Sequence, residues 1–162
     1  MNPAATTFSL QQSSPLRAIL WGGLACGTLD MTAAIIVYCF IMGAKPLRLL
    51  QGIAGGLFGP RTFSAGLATA FLGLLCHFVI AFLAATVYVA LSRALPFLIQ
   101  QAILCGVLYG IAVYFFMNRV VVPLSAATKF PFSLKMMLIG VVIHIFCVGL
   151  PIALAARRFS TN

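Results

Sequence analysis

Residues 66–91 read GLATAFLGLLCHFVIAFLAATVYVAL, an unbroken run without Lys, Arg, Asp or Glu. A membrane-spanning helix needs roughly 20 mostly apolar residues. Lipid offers no water to the backbone, so an apolar run this long satisfies its N–H and C=O groups by coiling into a helix. The run stops at Ser92 and Arg93, where the chain can return to water. The stretch therefore predicts a transmembrane helix.

Three other stretches follow the same rule. One covers about 17–42, from Arg17 to Met42. Another covers about 98–118 and is closed by Asn118 and Arg119. The last covers about 136–156, between Lys135 and the pair Arg157 and Arg158. The composition agrees: of 162 residues, 63% are hydrophobic and 7% charged, and the mean hydropathy is +1.15. A soluble domain carries roughly 25% charged residues, and a globule of this size could not hide so much apolar surface. A soluble enzyme, a disordered chain and a soluble nucleic-acid module are thereby excluded. Ten Lys and Arg stand against one acid, Asp30. Nearly all ten fall at span ends or in connections, so they read as membrane flanks with no nucleic-acid partner. Arg157 and Arg158 read as a lipid-headgroup anchor.

The expected fold is an all-α integral membrane protein. It is a single membrane domain over 1–162, a four-transmembrane-helix bundle with both termini on one side. The turn Ser92–Phe97 is short, which predicts that the second and third spans are adjacent and antiparallel. Segment 47–59 (LRLLQGIAGGLFG) is too short to span and reads as an interfacial or re-entrant helix broken at Gly59-Pro60. Segment 119–135, with Pro123 and Pro131, reads as irregular. Residues 1–15 carry no cation ahead of the first span, so they read as a mobile tail and that span as retained. Four cations on the terminal side against six on the other slightly favour external termini.

A two-fold internal repeat is also suggested. Cys26-Gly27-Thr28-Leu29-Asp30 answers to Cys105-Gly106-Val107-Leu108-Tyr109, and Gly73 with His77 answers to Gly140 with His144. The halves would be two parallel two-helix units related by an axis along the membrane normal. A composition rich in Gly, Ala, Leu and Val produces the same matches by coincidence.

Asp30, His77, Tyr109 and His144 are the polar residues nearest the span midpoints, and they form the candidate intramembrane site. An Asp at that depth costs about 2.5 to 3.5 kcal/mol on insertion scales, which a lipid-facing position would not sustain. Each also lies on a small-residue face. Asp30 shares one with Gly23, Cys26, Gly27, Ala33 and Ala34, and His77 with Ala70, Gly73, Ala81 and Ala84. Tyr109 has Ala102, Cys105, Gly106 and Ala112, while His144 has Gly140 and Cys147. Small residues mark close helix contacts in membranes, so the four are expected to point into the bundle.

Two readings from different classes follow. A mid-bilayer Asp/His cluster can serve a small proton- or cation-linked transporter or channel component, built as a homo-oligomer or within a larger membrane complex. Alternatively, the protein is a non-transporting accessory or scaffold whose polar residues fix helix packing. A third reading is a redox protein. Asp30, His77 and His144 make a possible divalent-metal set without HxxxH or HExxH spacing, and the two His could ligate a haem iron from both faces. No cofactor is required by the sequence. The five Cys lack CxxC spacing and read as packing residues. GxSxG, P-loop and GxGxxG motifs are absent, so nothing points to an enzyme.

The second half has a recognisable layout. His77 is followed by Tyr88 eleven residues on and by Pro96 closing a short turn. Next come a Gln, Gly106 and the exit Pro123-Leu124, then His144 and a terminal Arg157-Arg158. This order resembles the YagU-like family of small bacterial inner-membrane proteins over residues 70–158. The resemblance implies a bacterial inner membrane and cytoplasmic termini, against the cation count, and implies no activity. Asp30 has no counterpart in it, and the first connection is shorter than the family's.

Overall fold

The computed structural model describes residues 14–129 and 131–160. Among these residues the chain forms helices and no strand. Four helices are long and apolar enough to cross a membrane. We label them with the short helix between the first two. They are α1 (Pro15–Ile41), α2 (Pro46–Phe58), α3 (Gly66–Ala94), α4 (Ala102–Leu124) and α5 (Leu134–Phe159). The protein is a multi-pass membrane helical bundle. Most of the tail read over 1–15 lies outside the described residues.

The spans begin and end close to where the apolar runs do, with one exception. The third span was expected to close at Asn118 and Arg119, yet α4 continues to Leu124. Pro123 sits within the terminal turn Val122–Leu124, behind a π-helical turn at Met117–Val121. Proline has no N–H, and its ring presses on the carbonyl four residues back, here Arg119. The wider π turn absorbs that pressure, so the helix continues past Arg119. The same device recurs in α5, where the π turn His144–Gly149 precedes Pro151 and contains Cys147, the residue four back from it.

The first and last described residues lie at one end of the bundle. The backbone N–H of Ser14 donates to Phe159 O at 3.1 Å, which ties the start of α1 to the end of α5. The helices pack in the order α2, α3, α1, α5, α4. Spans α3 and α4 are antiparallel, as the short turn requires, but they meet only at that turn and through tyrosines, while the close partner of α4 is α5. A two-fold axis along the membrane normal would make the α3–α4 contact equal to the α1–α5 contact. The structure pairs α1 with α5 closely and leaves α3 and α4 apart.

Small residues explain which helices approach. A Cβ on Gly149 of α5 would overlap Gly106 O of α4 and stand 2.5 Å from Gly110 N and 2.8 Å from Gly110 Cα. Gly106-x-x-x-Gly110 thus brings backbone against backbone, the usual means of tight association where no hydrophobic effect separates helix from lipid. Gly23 and Gly27 of α1 receive the rings of Phe82 and Phe78 of α3. The core is made of Ala81, Ala85, Ala102, Ala153 and Ala156 around Tyr88 and Ile152. Large apolar side chains face outward, with Phe40 at 81% and Leu124 at 84% exposure, as expected of a surface solvated by acyl chains.

The short helix α2 acts as a crossbar. It starts at Pro46, crosses the first two turns of α3 with Leu50 O against Gly73, and stops at Gly59. Gly59 has φ +65°, a left-handed value that glycine adopts without a Cβ clash. Ala126 N–H donates to Gly56 O at 2.9 Å, so the crossbar also holds the loop after α4.

Candidate functional site

His77 lies on the face of α3 turned toward α1. Its Nε2 is 2.9 Å from Gly27 O of α1. A carbonyl only accepts, so Nε2 carries the proton and donates. A side chain on Gly27 would run into the ring of Phe78, the residue next to His77, so the glycine allows α1 and α3 to approach closely here.

Tyr109 of α4 reaches the other way. Its hydroxyl donates to Ala84 O of α3 at 2.7 Å. Its ring meets that of Tyr88 edge-on, with centroids 5.0 Å apart. Tyr88 is 1% exposed, and its hydroxyl donates to Leu98 O at 3.0 Å, bracing the turn between α3 and α4. Tyr109→Phe is expected to cost about 0.6 kcal/mol and at most about 1.7 kcal/mol, the measured average and maximum for hydrogen bonds between membrane helices. Denaturant titration in mixed micelles reads this loss.

His144 stays with its own helix. Its Nδ1 is 2.9 Å from Gly140 O, and its ring stands edge-on to Tyr114 of α4 with centroids 5.3 Å apart. His144 opens the π turn, and its own carbonyl lies against Gly110. The suspected repeat would equate His144 with His77, yet one bonds within its helix and the other bonds across to α1.

Asp30 is half-buried on α1. Among the described residues it takes part in no ion pair and no side-chain hydrogen bond. Cys26, one turn earlier, and Cys147 of α5 lie within electrostatic reach of its carboxylate.

The four sequence-predicted residues therefore face different neighbours. Among the described residues the carboxylate, the two imidazoles and the phenol share no hydrogen bond and no ion pair. Among the described residues no three His, Cys, Asp or Glu side chains gather as a metal site. Depth also separates them. Because α4 runs to Leu124, its midpoint falls near Val113, which leaves Tyr109 closer to the terminal side than Asp30, His77 and His144. Arg157 and Arg158 are exposed in the last turn of α5, where the negative end of the helix dipole favours cations.

No family model, curated protein or solved structure matches the chain.

A second polar group lies under the crossbar. Gln51 of α2 is 1% exposed. Its Nε2 donates to Gly66 O at 2.9 Å and to Thr69 Oγ1 at 3.5 Å. Thr69 Oγ1 donates in turn to Thr62 O at 2.7 Å, and Thr62 Oγ1 donates to Gly59 O at 3.0 Å. Gln51 Oε1 has no partner. Nearby, Arg48 of α2 donates to Phe63 O at 3.3 Å with its guanidinium 5.3 Å from the Phe63 ring centroid. Sequence pattern placed Gln51 and Arg48 in an amphipathic segment. Their partners, some fifteen residues on, carry no periodic signal.

Proposed function

We propose that this is a non-transporting accessory or scaffold protein of the membrane, one whose polar residues fix helix packing. The observation that carries the reading is that His77, Tyr109 and His144 are each held by a backbone carbonyl. A proton relay needs successive groups within about 3.2 Å of one another or bridged by one water, and the polar atoms placed here reach main chain instead. The bundle is thereby locked in register, which suits a protein that presents a fixed surface to other membrane components. The resemblance to YagU-like proteins supports a bacterial inner membrane with cytoplasmic termini.

Reconstitution tests the reading. Vesicles loaded with a pH-sensitive dye are expected to relax a proton gradient no faster with the protein than without it. His77→Ala is expected to lower stability in mixed micelles by about 0.6 kcal/mol and at most about 1.7 kcal/mol through the lost hydrogen bond. The absence of a partner for Asp30 favours a second reading, a proton- or cation-linked component whose path forms with another copy. Protein-dependent flux that disappears in Asp30→Asn establishes that reading and removes the first.

A further inference from the structure

Asp30 is the only acid of the chain, and among the described residues it takes part in no ion pair and no side-chain hydrogen bond. It lies eleven residues before the end of α1 and fifteen after its start, which at about 1.5 Å per residue places it inside the hydrocarbon from either side. It is half-buried and not enclosed. A carboxylate there is costly unless an opposite charge meets it.

The chain itself supplies no such charge. All ten Lys and Arg lie in connections or near span ends, and the one set deepest, Arg119, is still only five residues before the end of α4. Both His rings are engaged by carbonyls. A second copy in the same orientation would bring its cations to the same depths and would also miss Asp30. Charge complementarity therefore selects a different chain. We propose that Asp30 is the docking contact for a partner transmembrane helix carrying a single Arg or Lys near mid-bilayer. This rests on the scaffold reading and names the partner chemistry that reading lacks.

The test reconstitutes the full chain in phosphatidylcholine vesicles with a labelled poly-leucine host helix of about 20 residues. The host carries Arg at its centre, Arg near one end, or Leu throughout, and association is read by energy transfer. The central-Arg helix is expected to bind about tenfold tighter than either control, since close charge pairs at interfaces couple at least that strongly. Asp30→Asn should remove the advantage, while Asp30→Glu should retain most of it. Equal binding of all three helices overturns the proposal. So does self-association of the protein alone that Asp30→Asn abolishes, because the occupant is then a second copy. The scaffold reading fails separately, by flux in vesicles that hold no host helix.

Discussion

Gly149→Ala is expected to destabilise the bundle by about 1–3 kcal/mol, the usual cost of forcing a methyl group into a filled interior. The added Cβ would overlap Gly106 O and stand 2.5 Å from Gly110 N. Both neighbours are main chain, so no rotamer change makes room and α4 must move away from α5 as a body. Gly110 would then lose its seat on His144 O and Ile145 Cα, and Tyr114 its edge-on contact with His144. Gly149→Leu should undock α4 altogether, because α4 has few other close partners. Reversible denaturation in mixed micelles reads the first variant. Protease access to the 125–133 loop reads the second. A transition midpoint unchanged by Gly149→Ala would show that α4 is not held by this glycine contact.

Gly73→Ala is expected to release the crossbar. Its Cβ would fall on Leu50 O and come within 3.2 Å of Ala54 N, both backbone atoms of α2. Displacing α2 withdraws Gln51 from Gly66 O and Thr69, and draws Gly56 O away from Ala126 N. The loss of about 1–3 kcal/mol corresponds to about five- to 150-fold faster hydrogen exchange over residues 46–58. Exchange in α1 and α5 should change little, since neither contributes the atoms that clash. If α2 keeps its protection, the crossbar is held by its apolar face and not by the fit at Gly73.

Much of the architecture was legible from residues alone. The four apolar runs became four spans, and the Gly59-Pro60 break became the end of α2, because Gly59 takes a left-handed φ there. The end of the third span was misplaced. Asn118 and Arg119 read as a stop, but a π turn carried the helix past them to Pro123 and Leu124. Such a turn depends on backbone strain relieved locally and leaves no trace in hydropathy. The small-residue faces were also visible, and they do lie at helix contacts: Gly27 under His77 and Gly106 against Gly149. The inference that polar residues on those faces would meet one another did not follow. His77, Tyr109 and His144 each bond a backbone carbonyl instead, and Asp30 makes no side-chain hydrogen bond among the described residues.

The sequence by itself determined that the chain holds four helices long and apolar enough to cross a membrane, and that Asp30 lies near the middle of the first. These depend on the partition of each residue between hydrocarbon and water, which sums along the chain and needs no tertiary information. The tertiary structure decided which helices pair, in the order α2, α3, α1, α5, α4, and which carbonyl each polar side chain reaches. Those outcomes depend on how closely two backbones approach at a glycine. His77 and Gly27 are fifty residues apart in the chain, and their contact is set by the crossing of α1 and α3.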